Sequence, residues 1–225
     1  MKAPSAPLAT GFAALVALIA LSAVAWVWAP VTVAAEPVRL EPVGLSRALP
    51  DDFEVIDGVL ARRAPGLGLV LRMRLAIAIA EEAHQAGYDP LLVLALIDVE
   101  SDFQEEAISP MGARGLMQIR PTTLYFLAQK EGIRLSREEI AKDPTLCVRL
   151  GVRYLRTLHS QFGNLNLALM AYNMGPNKLR NQLRLKDVER FRGYPRAVQR
   201  EYLTLRQGNG LGGDWTLAAR TPLQK

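Results

Sequence analysis

The stretch Asp89–Gln118, DPLLVLALIDVESDFQEEAISPMGARGLMQ, sets the reading of the whole chain. Asp89-Pro90 is a helix start, an N-cap residue followed by proline at the first helical position. The helix it opens, Leu91 to Glu100, is apolar nearly throughout and belongs at the centre of a core. Val93, Leu96 and Ile97 stand seven, four and three positions before Glu100, so the next member of the apolar stripe is a carboxyl group. A carboxyl packed against apolar neighbours resists ionisation, because burial disfavours the charged form. Kept protonated near neutral pH, it is a proton donor. An ordinary glutamate at a helix end snorkels to water instead, and the residues after Glu100 argue for the first reading. Gly112 and Gly115 permit left-handed backbone. The segment can therefore fold back as a hook over the helix end and present Ser109 and Gln118 as hydrogen-bond groups.

Further along, Ala171–Pro176 (AYNMGP) sets an aromatic hydroxyl, Tyr172, and an amide, Asn173, at a helix end before a Gly-Pro break. The other segments also have helical signals. Arg72 to Ala86 is helical by composition, with Gly87 as its C-cap. Pro121 opens one helix and Asp143-Pro144 another, the latter with Leu146, Leu150, Tyr154, Leu155 and Leu158 at helical spacing. Asn164 to Tyr172 is short and apolar, and Arg196 to Leu205 is the last. No strand-like alternation is sustained, so the expected fold class is all-α.

The N-terminal FAALVALIALSAVAWVWA, Phe12 to Ala29, carries no charge. As a helix it would reach roughly 27 Å, close to a bilayer core. Residues 1–35 therefore read as a secretory signal, cut after Val33-Ala34-Ala35, or as an uncleaved anchor in inner-membrane lipid through residues 12–29. Either sends the rest of the chain across the membrane. Residues 36–67, with four prolines, read as a flexible linker, 68–205 as the folded domain and the glycine-rich 206–225 as a flexible tail.

The net charge of +5, from 27 basic and 22 acidic residues, suits anionic partners without naming one. The single cysteine, Cys147, excludes an intrachain disulfide and a cysteine-built metal site. His84 and His159 are far apart, so no metal site and no cofactor are expected. The basic run Lys178 to Arg200 reads as a solvated face, or one turned to an anionic partner or to lipid headgroups. It lacks the aromatic interleaving of a nucleic-acid surface, so no nucleic acid is expected. Tyr125, Tyr154, Phe162 and Cys147 read as core.

The residues ESDFQEEAISPMGARGLMQ, Glu100 to Gln118, fit the pattern E-S-x-F-x-x-x-A-x-S-x-x-G-A-x-G-L-M-Q at every named position. This resembles the signature of the soluble-type (SLT-domain) lytic transglycosylases, a goose-lysozyme-like group, and AYNMGP resembles their second motif. A third, E-T-x-x-Y-V-x-x-V, is only partly present: Tyr194 and Val198 fit, while Arg190, Phe191 and Pro195 depart, and Cys147 stands where Asn is common. The resemblance covers about Leu71 to Leu205.

It implies a lysozyme-like helical domain that cleaves the β-1,4 bond between N-acetylmuramic acid (MurNAc) and N-acetylglucosamine (GlcNAc) in peptidoglycan glycan strands, in the bacterial periplasm or cell envelope. By motif, Glu100 is the lone catalytic acid and later base, closing a 1,6-anhydro ring on MurNAc. Ser109 would bind the N-acetyl region, and Met117 and Gln118 would line the cleft. Tyr172 would hydrogen-bond near the acid, Asn173 would hold the wall, and Tyr194 would support Glu100 from the opposite side. Asp98 and Asp102, two positions from Glu100, would point elsewhere on a helix. Two other readings are a muramidase, which needs a second carboxylate or a positioned water, and a wall-binding module without turnover.

Overall fold

The computed structural model describes residues 49–219. The N-terminal apolar segment, 12–29, and the choice between signal and anchor lie outside them. Among the described residues no helix is long and apolar enough to cross a membrane. The order is α1 (Phe53–Arg63), α2 (Leu69–Ala86), α3 (Pro90–Ser101), the hook, α4 (Pro121–Lys130), α5 (Arg137–Lys142), α6 (Pro144–Phe162), α7 (Leu165–Met174), α8 (Pro176–Arg184) and α9 (Gly193–Gly208). Two 3-10 turns, Glu189–Phe191 and Trp215–Ala218, flank α9. The fold is all-α: the β pairing among the described residues consists of isolated bridges.

Helix α3 is the axis. Asp89 caps it, its side chain accepting the Leu91 N–H at 2.9 Å, with Pro90 in the first turn. Every side chain from Leu91 to Ile97 is at most 2% exposed, so the helix is apolar on all faces and enclosed on all faces. Each of the Leu, Val and Ile side chains among them contributes roughly 1.5–3 kcal/mol by leaving water. Helix α9 packs along α3, and α2 packs across both α3 and α6.

Two expectations about the chain ends need correction. Composition reads 36–67 as a flexible linker, yet Phe53–Arg63 is a helix with Ile56, Val59 and Leu60 fully buried. The prolines of that region obscure an apolar i, i+3, i+4 pattern that docks on α2. Likewise, 206–225 is not a loose tail where it is described. The Arg206 guanidinium pairs with Asp89 at 2.6 Å. Ala218 is fully buried, its carbonyl accepts the Asp89 N–H at 3.1 Å, and Ala219 bridges to Tyr88. Glycine-rich composition signals turns; the contacts that hold them come from distant residues.

One ion-pair cluster joins α2 to α6. Glu82, 1% exposed, receives Arg153 through two bonds of 2.8 Å and Arg149 at 3.1 Å. A buried carboxylate needs such partners, and removing one costs several kcal/mol.

Candidate active site

The hook is built by its own hydrogen bonds. Helix α3 ends with Asp102 and Phe103 in left-handed conformation, φ +50° and +59°. Phe103 is buried, with the Arg63 guanidinium over its ring. The Ser101 hydroxyl lies 3.0 Å from the carbonyls of both Ile97 and Leu116, tying the helix end to the returning strand of the hook. Gly115 has φ +71° and donates to the Ala107 carbonyl at 2.9 Å, a conformation that strains any other residue. Gln118, at φ +45°, spends both amide hydrogens on the carbonyls of Ala107 and Gly115, each at 3.0 Å. Its side-chain oxygen is the group left for a ligand. Ser109 makes a tight turn with Ala113: its N–H donates to the Ala113 carbonyl at 2.9 Å, and its hydroxyl accepts the Ala113 N–H at 3.0 Å.

Between the hook and the end of α7 lies a cleft of about 420 Å³. Glu100, Ser109, Gln118, Tyr172 and Asn173 all line it. Met117 does not. It is fully buried, and its side chain packs against Gly151 of α6, where a Cβ would come within 2.6 Å of the Met117 Cε. The expectation that Met117 lines the cleft is therefore corrected to a place beneath its floor. Its backbone still matters, because the Tyr172 hydroxyl donates to the Met117 carbonyl at 2.9 Å and ties α7 to the hook.

Tyr154 packs against the core as expected and also joins the cleft lining, its ring 5.6 Å from that of Tyr172. Arg120 and Thr123, at the start of α4, line the cleft as well. Nothing in the local pattern singles out Thr123; the signal at Arg120 is a cation at the N-cap position before Pro121.

Glu100 carries the perturbed carboxyl of the cleft. Burial pushes its carboxyl up to about 7, while the Tyr194 hydroxyl, donating to Oε1, works in the opposite direction. Tyr194 itself and Tyr172 are pushed well above the ordinary phenol range by burial and by the nearby Glu100, so both remain neutral donors. Among the described residues no other carboxyl group lines the cleft. Asp98 pairs with Arg63, which also reaches Glu201 at 3.3 Å and Asp102 at 3.8 Å. The two aspartates nearest Glu100 in sequence are thus held by a cation from α1. No group of three or more His, Cys, Asp or Glu suited to a metal ion occurs among the described residues. Cys147 is buried, its thiol pushed up to about 12 by desolvation and then by Asp143.

The arrangement is one part-buried acid at the end of a helix whose Leu91–Ile97 run is wholly apolar, facing a polar cleft wall. Comparison with known proteins places this architecture with the lysozyme-like helical domains of the Slt structures. Lytic transglycosylase Slt from Pseudomonas aeruginosa, solved as an inactive mutant, superimposes with a TM-score of 0.55 at 28% identity, covering 73% of this chain and 28% of that one. The Transglycosylase SLT domain family model matches residues 77–192, more than half of the chain, and the chain belongs to that family. The transglycosylase of Enterobacteria phage PRD1 is 34% identical over 100 residues, 44% of this chain and 34% of that protein. The soluble lytic murein transglycosylase of Escherichia coli K12 is 35% identical over 92 residues, 40% of this chain and 14% of that protein. The chain thus matches about a third or less of the length of these curated relatives.

Proposed function

We propose that the chain is a peptidoglycan lytic transglycosylase that cleaves the MurNAc-β-1,4-GlcNAc bond and leaves a 1,6-anhydro-MurNAc end. The observation that carries this reading is Glu100, the single carboxyl among the described residues lining the cleft, part-buried, pushed up to about 7 and held by Tyr194. Glu100 gives its proton to the leaving glycosidic oxygen as the bond to C1 breaks. The substrate's own N-acetyl carbonyl stabilises the positive charge that develops at C1, the work a second carboxylate performs in two-carboxylate glycosidases. Glu100, now a carboxylate, takes the proton of the C6 hydroxyl as that oxygen bonds to C1. The acid is restored and no water is consumed.

The surrounding residues have supporting roles. Tyr194 orients the acid, and Tyr172 fixes the hook through the Met117 carbonyl. Ser109 and the Gln118 oxygen face the N-acetyl and hydroxyl groups of the sugar, and Asn173 forms the opposite wall. The named relatives are transglycosylases, and the Pseudomonas neighbour is inactive as a glutamate-to-glutamine mutant, which supports a glutamate as the acid.

The workplace is the bacterial cell envelope, reached through the apolar segment 12–29 acting as signal or as anchor in inner-membrane lipid. The test is product analysis: the full-length chain in mild detergent is incubated with purified peptidoglycan and the soluble products are read by mass spectrometry. Products ending in 1,6-anhydro-MurNAc, absent with Glu100→Gln, are expected. Reducing ends would mean a hydrolase, and sedimentation with the wall without release would mean a binding module.

A further inference from the structure

Glu100 and Arg120 are the charged residues among those lining the cleft. The Arg120 side chain has no ion-pair, hydrogen-bond or ring partner among the described residues, whereas Arg63, Arg72, Arg149, Arg153 and Arg206 are all engaged. Its position is not explained by helix stability. Arg120 is the N-cap of α4 and makes no side-chain cap bond. That place favours Ser, Thr, Asp or Asn, and the positive end of a helix disfavours a cation there. An exposed guanidinium, unpaired among the described residues, therefore borders a cleft whose other polar groups are neutral apart from one carboxyl.

The sugars of the proposed substrate are neutral in their rings. Negative charge resides on the side arm of muramic acid. When the stem peptide is present, its carboxylates carry the charge. When the peptide has been removed, the lactyl group is itself a free carboxylate. A guanidinium binds such a group through two parallel N–H···O bonds, with directionality a lysine lacks.

Resting on the transglycosylase reading, we propose that Arg120 is a specificity-determining residue that pairs with a carboxylate on the muramic acid side arm, so that the cleft favours strands carrying that charge over uncharged ones. The lactyl group and the stem peptide are two sources of the same chemistry, and the test separates them.

Binding is measured with the full-length chain carrying Glu100→Gln, so that no strand is consumed, alone and combined with Arg120→Gln or Arg120→Lys. Three end-labelled glycan strands are compared by fluorescence anisotropy: peptide-bearing, peptide-stripped with free lactyl carboxylates, and stripped with those carboxylates converted to amides. Arg120→Gln is expected to weaken binding of a carboxylate strand about tenfold more than binding of the amidated strand. Arg120→Lys should recover part of the loss, and added salt should erase part of the preference. A loss confined to stripped strands assigns the lactyl carboxylate; one confined to peptide-bearing strands assigns the stem peptide. Equal affinity of the parent for all three strands, or an equal loss on all three with Arg120→Gln, overturns the proposal. The wild-type chain is assayed for release in parallel. Cleavage without carboxylate preference overturns this inference and leaves the transglycosylase reading standing; carboxylate preference without cleavage does the reverse.

Discussion

Each end of α3 carries a carboxyl group, and each receives a tyrosine hydroxyl from the same helix, α9. At the N-terminal end Tyr202 donates to Asp89 at 2.8 Å; at the C-terminal end Tyr194 donates to Glu100. What differs is the rest of the shell. Asp89 also holds the Arg206 guanidinium at 2.6 Å and the Leu91 N–H at 2.9 Å. Glu100 has no cation within ion-pair distance among the described residues, and burial raises it to about 7. The same two groups, carboxyl and phenol, thus make a structural anchor where an arginine is supplied and, in the proposed mechanism, a proton donor where it is withheld. Because one helix reaches both ends, the register of α9 on α3 sets the acid's position.

The largest effect that probes this difference is Glu100→Gln. It should lower turnover about a thousandfold, the scale of a lost general acid. The same variant should be more stable than wild type at pH 8. The folded-state value of about 7 lies above the ordinary 4.5, so the fold favours the protonated form. Stability from this group therefore falls as pH rises from 4.5 to 7, and a penalty on the order of 2–3 kcal/mol remains above 7. Thermal melts should show the advantage of Gln at pH 8 and its disappearance near pH 4.5. A catalytic loss without that stability gain would break the comparison, because burial would then not be what tunes the acid.

Next comes Arg206→Leu at the opposite end. It strips Asp89 of its cation and should cost about 3 kcal/mol, read from denaturant unfolding. Turnover per folded molecule should change far less than stability does. Gly151→Ala acts only at the C-terminal end, by pushing Met117 upward into the hook. Overpacking of this kind costs about 1–3 kcal/mol and should loosen the Tyr172 bond to the Met117 carbonyl. A stability loss with unchanged turnover would mean that the hook tolerates the shift. The smallest effect is that of Tyr194→Phe. Its hydroxyl holds the Glu100 value down, so its removal should move the alkaline limb of the pH–rate profile upward by less than about one unit.

Much of the cleft was legible because its signals are local. The Asp89-Pro90 start, the apolar run and the Gly112 and Gly115 hook lie within thirty consecutive residues, and the structure brings Glu100, Ser109 and Gln118 to one cleft from that stretch alone. Tyr172 and Asn173 were legible at a helix end beside a Gly-Pro break. What escaped depends on long-range packing. Whether the Met117 side chain faces the cleft or the core is set by the small residue Gly151 on a helix far along the chain. Tyr154 has the spacing of a core residue, and its place in the cleft comes from how α6 meets α7. Helix α1 was hidden by the prolines around it, although Phe53, Ile56, Val59 and Leu60 carry its periodicity. The docked C-terminal segment depends on Asp89 and Tyr88, which lie more than a hundred residues earlier.

The most direct test of the account is the titration of Glu100 itself. Carbon-13 carboxyl-labelled glutamate is followed by NMR from pH 4 to 9 in the full-length chain, with the Glu100 signal assigned by its absence in Glu100→Gln. A midpoint near 7 is predicted, matched by a loss of turnover as pH rises through the same value. A midpoint near the ordinary 4.5, with activity that persists to alkaline pH, would contradict the claim that an apolar helix holds this acid ready to donate its proton.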